Sequence, residues 1–392
     1  MSYSGLGIVR SLGRRGIPVV ALDPDPRQIG MSSRFACALQ CPDQKTAEAD
    51  YLSFLLDLGK LFGKQAVYFP TGDNTVLFFS RHRNVLEPYY RCVMPDADLV
   101  EALVSKEGFD RLCTEYDIPA PQSFFPKDRN DVESHLAQLP FPAIIKPIYS
   151  HDWKHPDMVS IVGSGTKALS IPDAKQLFEK YDNLAKVNPS VVIQEFIPGP
   201  DYALYYFCGY MDHKTRPLAV FVGQKLRVEP IHFGSASFVK SIHDQDIIDM
   251  SLRFLEATGY VGLCGIEYKR DSRDGQMKAI EFNARFGLWD ILATRCGIDI
   301  PYIAYQDAVG QVAEKCLSYR TGVKWVSMAL DYSAFKQYRR EGTLSLVRWL
   351  MSFIGEKQWA VADLGDLVPF VETTRDLLRK KVRRISNRLW MG

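Results

Sequence analysis

Short apolar runs bounded by Gly, Pro, Asn and Asp alternate along this chain with longer stretches whose apolar positions repeat at helical spacing. That alternation predicts a mixed α/β protein. The N-terminal part reads as a helix, Gly7–Arg14, a stop at Gly16, and a strand, Ile17–Asp23. This reads as the second half of a β-α-β unit whose opening strand is absent, with Gly5-Leu-Gly7 as the turn after it. A start placed downstream of the true one would explain it. A helix over Ala49–Phe62 and a strand over Ala66–Pro70 follow, and the loop Thr71–Asn74 lies at the strand's carboxyl end. Ligands commonly bind in such loops of open α/β sheets, so Asp73 either contacts substrate or caps the next helix. Residues 99–116 read as one helix carrying Lys106, and Ile118-Pro-Ala-Pro121 as a linker. Beyond it come a strand ending at Lys146, a loop over Ile148–Val159, a helix Asp173–Leu184 and a strand Ser190–Ile197. Strands Tyr202–Met211 and Pro217–Gly223 and a helix Asp244–Thr258 complete the middle of the chain.

The sharpest pattern is Gly265-Ile-Glu-Tyr-Lys-Arg-Asp, a polar turn, and Lys278-Ala-Ile-Glu-Phe-Asn-Ala-Arg285. It predicts a hairpin. A turn centred between Arg273 and Asp274 sets Glu267 opposite Glu281, and period-2 alternation puts Glu281, Asn283 and Arg285 on one face. Two carboxylates and an amide oxygen among apolar neighbours need a partner, and hard oxygen ligands suit Mg²⁺. The alternative is a solvated hairpin face.

Composition narrows the class. The 392 residues suffice for two or three domains, and 46% hydrophobic content is ordinary for a globular chain. A net charge of +2 does not suggest a nucleic-acid binder. Eight cysteines without repeated spacing read as reduced thiols of a cytoplasmic protein. The longest apolar run, Leu344–Ile354, is too short to span a bilayer and contains Arg348. Residues 375–392 hold seven Arg or Lys and one Asp. There Leu377, Leu378, Val382, Ile385 and Leu389 fall on one helical stripe, which either packs on the body or touches an anionic membrane weakly.

Lys146, a Gly-containing loop (Ser160–Lys167), Gln194-Glu195-Phe-Ile197-Pro-Gly-Pro-Asp201 and the acidic hairpin occur in that order. Their order and local sequences resemble the ATP-grasp superfamily of carboxylate-activating ligases over roughly residues 1 to 310. The resemblance implies an ATP-grasp fold preceded by a Rossmann-like domain. The expected division is 1–100 for that α/β domain, 101–200 for a nucleotide-clamping subdomain, 201–316 for a catalytic, metal-binding subdomain, and 317–392 for an appendage. It implies ATP and Mg²⁺ (one or two ions, with Mn²⁺ an alternative) as cofactors. The partners implied are a small-molecule carboxylate and an amine, with a homodimer as an open alternative for assembly. The expected reaction joins carboxylate to amine through an acyl-phosphate. A carboxylase-type nucleophile, or an ATP-binding protein without turnover, are the other readings.

By the family pattern, Lys146 holds the inner phosphates, with Lys106 a further candidate. Gln194, Glu195 and the backbone of Ile197 face adenine, and Asp201 the ribose. Glu267, Glu281 and Asn283 bind metal, and Arg285 stabilises transferring charge. Lys225 and Arg227, two apart on a strand, face one side and meet either the phosphates or substrate, or form a solvated edge. Two departures stand out. Ser150-His-Asp-Trp-Lys-His155 replaces a denser glycine run, and His151 and His155 are poor metal ligands beside Pro156. Many relatives carry arginine two residues before the first metal acid; Gly265 stands there, and Arg285 is expected to take over.

Overall fold

A computed structural model describes residues 2–390, with side chains through Arg379. Fifteen strands lie within the described residues. The N-terminal region holds β1 (Val20–Asp23), β2 (Cys37–Gln40), β3 (Ala66–Val67) and β4 (Tyr90–Arg91), forming two parallel pairs, β1 with β2 and β3 with β4. A small antiparallel sheet contains β5 (Ser123–Phe124), β6 (Ala143–Pro147), β7 (Leu169–Ile171) and β8 (Val191–Glu195), in the order β5-β8-β6-β7. Helices Arg129–His135 and Ala174–Ala185 close its core through Val132, Leu177 and Tyr181.

The large sheet is built from β9 (Leu204–Met211), β10 (Pro217–Glu229), β11 (Ser235–Ile242), β12 (Gly262–Arg270), β13 (Met277–Asn283), β14 (Lys324–Val326) and β15 (Lys357–Trp359). Its order is β13-β12-β9-β10-β11-β14-β15. One face shares a core with the N-terminal region, joining Phe207, Phe254 and Phe282 to Phe109 and Leu112. The other face packs on the first helix and residues 286–304, around Phe221, Trp289 and Trp325. Burial at this density is the main stabilising term, because each large side chain removed from water contributes about 1.5–3 kcal/mol.

Several elements differ from the sequence expectation. The first helix runs Tyr3–Gly13, so Gly5 and Gly7 lie inside it rather than in a turn. Packing explains this, since a Cβ on Gly7 would sit 3.1 Å from Ile291 and 3.2 Å from Phe286. The helix expected over 99–116 is two, Ala97–Val104 and Lys106–Glu115, with Ser105 capping the second through Gly108 N–H at 2.9 Å. Lys106 thus opens a helix whose first N–H reaches Ile148 O. The loop after Lys146 contains the short helix Pro156–Val162. The segment from 317 onward, expected as an appendage, contributes β14 and β15 to the large sheet. Of the C-terminal stripe, Leu377 and Leu378 are exposed, while Val382, Ile385 and Leu389 lie outside the described side chains. No described helix is long and apolar enough to cross a membrane.

Candidate active site

The hairpin forms in the expected register. Glu267 on β12 is paired with Glu281 on β13, and Gly265 with Asn283. On the other side of β12, Tyr206 of β9 is paired with Glu267. Directly paired residues share a face, so Tyr206, Glu267 and Glu281 form one row across three strands. The row floors a cleft of about 780 Å³ between the large and small sheets, which Asn283 and Arg285 also line.

Lysines crowd the acids. Lys225 Nζ lies 2.5 Å from Glu267 Oε2, and Lys106 Nζ lies 3.8 Å from Glu281 Oε1. Burial alone would raise the Glu281 carboxyl, but Lys106, Lys167, Lys146 and Lys225 together pull it down to about 2. From β6, Lys146 donates to Gln194 Oε1 at 2.9 Å, and Gln194 passes the chain on to Ser123 Oγ at 3.0 Å. Burial, then repulsion from Lys106, lowers the Lys146 ammonium to about 8. Beside it, Ile144, Phe196, Ile197 and Ile280 supply apolar wall. Glu195 also lines the cleft, but its carboxylate is engaged by Lys278 at 3.2 Å, by Arg273, and by Gln122 N–H at 3.1 Å.

Arg285 Nε donates to Asp73 Oδ1 at 2.6 Å. Asp73 is the first residue of helix Asp73–Arg81, and Gly72, not Asp73, occupies the cap position. This ion pair ties the N-terminal region to the hairpin inside the cleft.

Two expected residues are not brought to the cleft. Between Lys225 and Arg227 the β10–β11 register shifts at a bulge, so the two do not share a face as simple alternation predicts. Arg227 instead makes a buried two-pronged pair with Asp331, at 2.7 and 2.9 Å, and stacks over Phe238. Asp201 is buried and accepts from Tyr338 Oη at 2.5 Å and His232 N–H at 2.9 Å. Neither residue lines the cleft.

Four residues near the site escaped the sequence. Lys154 and Lys167 reach the cleft from the loop after β6, where Gly163 and Gly165 take left-handed φ angles of +87° and +81°. Lys167 beside that glycine pair was the one available signal. Tyr206 fills the space beside Gly265: a Cβ there would lie 1.7 Å from Tyr206 Oη. Asp290 lies behind Gly287, whose N–H it accepts at 2.5 Å, and burial pushes its carboxyl up to about 7. His151 and His155 approach Asp152 and Asp157 respectively, at 3.5 Å.

In solved structures, the ADP complex of N5-carboxyaminoimidazole ribonucleotide synthetase superposes with a TM-score of 0.63 at 12% identity, covering 81% of this chain and 77% of that one. Biotin carboxylase from Campylobacter jejuni, solved as its β-γ-ATP complex, gives 0.61 at 14% identity, covering 80% and 70%. The chain has the ATP-grasp fold. No family model matches this chain. By sequence it is 28% identical to the D-aspartate ligase of Enterococcus faecium (strain Aus0004) over 256 residues, which is 63% of this chain and 59% of that enzyme. The match therefore spans less than two thirds of the relative's length.

Proposed function

We propose that this ATP-grasp chain is an ATP-dependent carboxylate–amine ligase. The observation that carries this is the facing of Glu267, Glu281 and Asn283 by Lys106, Lys146, Lys167 and Lys225 across one cleft. Phosphoryl transfer needs positive charge around the phosphates and little else from the protein. Lys146 and Lys106 hold the inner phosphates, Lys167 covers them from the glycine loop, and Lys225 meets the transferring group. Gln194, Glu195 and the Ile197 backbone take adenine. Arg285 holds the carboxylate against the γ-phosphate, so attack is intramolecular in effect. The carboxylate becomes an acyl-phosphate, and an amine displaces phosphate to give an amide.

The donor set fits magnesium, because two carboxylates and an amide oxygen are all hard ligands. Among the described residues no three His, Cys, Asp or Glu side chains converge. Phosphate oxygens and water would supply the remaining ligands, whether one ion or two bind, and Mn²⁺ would use the same oxygens. When bound, the ion would supply charge neutralisation to the phosphates.

The relative's name makes D-aspartate the first carboxylate to test. The test is ADP release with ATP, Mg²⁺, D-aspartate and other amino acids, with mass detection of product. An amide plus ADP is the expected result. Nucleotide binding without ADP release from any pair would make this a binding protein. The expected setting is the cytoplasm. Exposed Leu346, Val347, Leu350, Met351 and Ile354, together with the basic sequence 375–392, support weak contact with an anionic membrane. Sedimentation with anionic vesicles, with and without residues 375–392, tests that; equal soluble fractions would exclude it. Light scattering decides between monomer and homodimer.

A further inference from the structure

A buried lysine at the adenine side of the cleft has no partner. Lys269 on β12 lines the cleft and is 7% exposed, yet among the described residues its ammonium makes no hydrogen bond or ion pair. Buried charges are ordinarily paired, and an unmet one calls for a partner from outside the chain. Along β12, Lys269 lies two residues beyond Glu267, so both project from the face that floors the cleft. Its partner in register on β9 is Leu204, another cleft residue. Lys269 Nζ stands 5.1 Å from the centre of the Phe196 ring, within the Gln194–Asp201 segment. That contact steadies the charge but leaves its N–H donors without an oxygen or nitrogen acceptor. The acids at this end are already engaged. Glu195 is held by Lys278 and Arg273, Asp201 by Tyr338 and His232, and Glu229 by Ser333 and Gln337. Burial lowers the pKa of the Lys269 ammonium, while Asp201 and then Asp271 draw it back up without forming an ion pair with it.

We propose that Lys269 donates to the ribose hydroxyl oxygens of the bound nucleotide, a role that rests on the ATP-dependent function above. Asp201, expected to face the ribose, is buried outside the cleft and saturated there. Of the cleft-lining side chains beside it, His232 is held between Asp201 and Glu341, at 3.4 and 3.1 Å, and Lys269 is free. The base is assigned to Gln194, Glu195 and the Ile197 backbone, which leaves the sugar for Lys269. An uncharged oxygen suits it better than a further phosphate does. Asp201 and Asp271 already offset part of its charge, and the phosphate-binding lysines gather about Glu281 instead. A hydroxyl oxygen accepts a lysine N–H and gives its own proton to water. The chain then donates to the sugar where an acid would accept from it.

Lys269→Met keeps an unbranched apolar stem beside Phe196 and removes the ammonium. Calorimetry measures binding of the Mg²⁺ complexes of ATP, 2′-deoxy-ATP and 3′-deoxy-ATP to wild type and variant. Wild type should bind at least one deoxy nucleotide about tenfold more weakly than ATP, because a hydrogen bond from a charged donor is lost. Lys269→Met should bind ATP about tenfold more weakly than wild type does, and should no longer distinguish that deoxy nucleotide from ATP. The unliganded variant should unfold at no lower a temperature than wild type, since methionine leaves no unpaired buried charge. Three results overturn the proposal and leave the ligase function standing. They are wild type binding all three nucleotides alike, ATP affinity unchanged in the variant, and equal weakening of ATP and both deoxy nucleotides by the substitution. Wild type that binds none of the nucleotides is a separate outcome, which refutes the ATP-dependent function and this role with it.

Discussion

Replacing Arg227 with methionine asks whether this residue belongs to the fold or to the chemistry. Its guanidinium gives Asp331 two bonds, at 2.7 and 2.9 Å, and Asp331 also accepts from Trp349 Nε1 at 2.8 Å and Ser237 Oγ at 3.1 Å. The Asp331 carboxylate is fully buried. Removing the cation leaves a buried charge held only by two neutral donors, which costs about 3–5 kcal/mol. Loss of the stack on Phe238, 4.1 Å from the guanidinium carbon, adds about 1 kcal/mol. Removing both charges in Arg227→Met/Asp331→Leu takes away the stranded anion, so the double variant should be more stable than Arg227→Met alone. Urea unfolding of the four proteins of this cycle gives the energies, and ATP titration of the folded single variant gives affinity. Arg227→Met should lose about 3 kcal/mol or more yet bind ATP within about threefold of wild type. Near-normal stability with abolished turnover would refute the structural role and return Arg227 to the site.

Other outcomes follow from the same geometry. The amide-forming rate should fall with pH as Lys146, near 8, loses its proton; Lys146→Arg should remove this alkaline limb. Gly265→Ala would drive a methyl carbon to within 1.7 Å of Tyr206 Oη, so a stability loss of about 1–3 kcal/mol is expected, read by thermal unfolding. Because the lysines hold the folded Glu281 pKa near 2, below its usual value of 4.5, its stabilising contribution is present above about pH 4.5 and lost toward pH 2. Glu281→Gln should therefore flatten that part of the acid-unfolding curve.

Local regularity decided what the sequence disclosed. The hairpin was legible because alternation and a polar turn together fix register, and Glu267 does pair with Glu281. Lys106, Lys146, Gln194 and Lys225 also come to one cleft with it. Arg227 was misplaced because a bulge breaks the two-residue period, and nothing local in Gly223-Gln-Lys-Leu-Arg-Val marks one. Gly5 and Gly7 suggested a turn, whereas the constraint on Gly7 is its packing against Phe286 and Ile291, nearly three hundred residues away. Tyr206, Lys154 and Asp290 were hidden for the same reason. Their positions depend on tertiary neighbours: the missing side chain at Gly265, Lys154's approach to Asp73, and the Gly287 N–H that Asp290 accepts. The alternation around Tyr206 equally fits an ordinary core tyrosine.

The central claim is that Glu267, Glu281 and Asn283 hold metal only together with a nucleotide. Calorimetric titration tests it directly, with MgCl₂ alone, with ATP in EDTA, and with MgATP. Saturable MgATP binding is expected, with no measurable Mg²⁺ binding alone, and with affinity lost about 100-fold or more in Glu267→Gln/Glu281→Gln. Tight Mg²⁺ binding without nucleotide, or MgATP affinity unchanged in that double variant, would contradict the account.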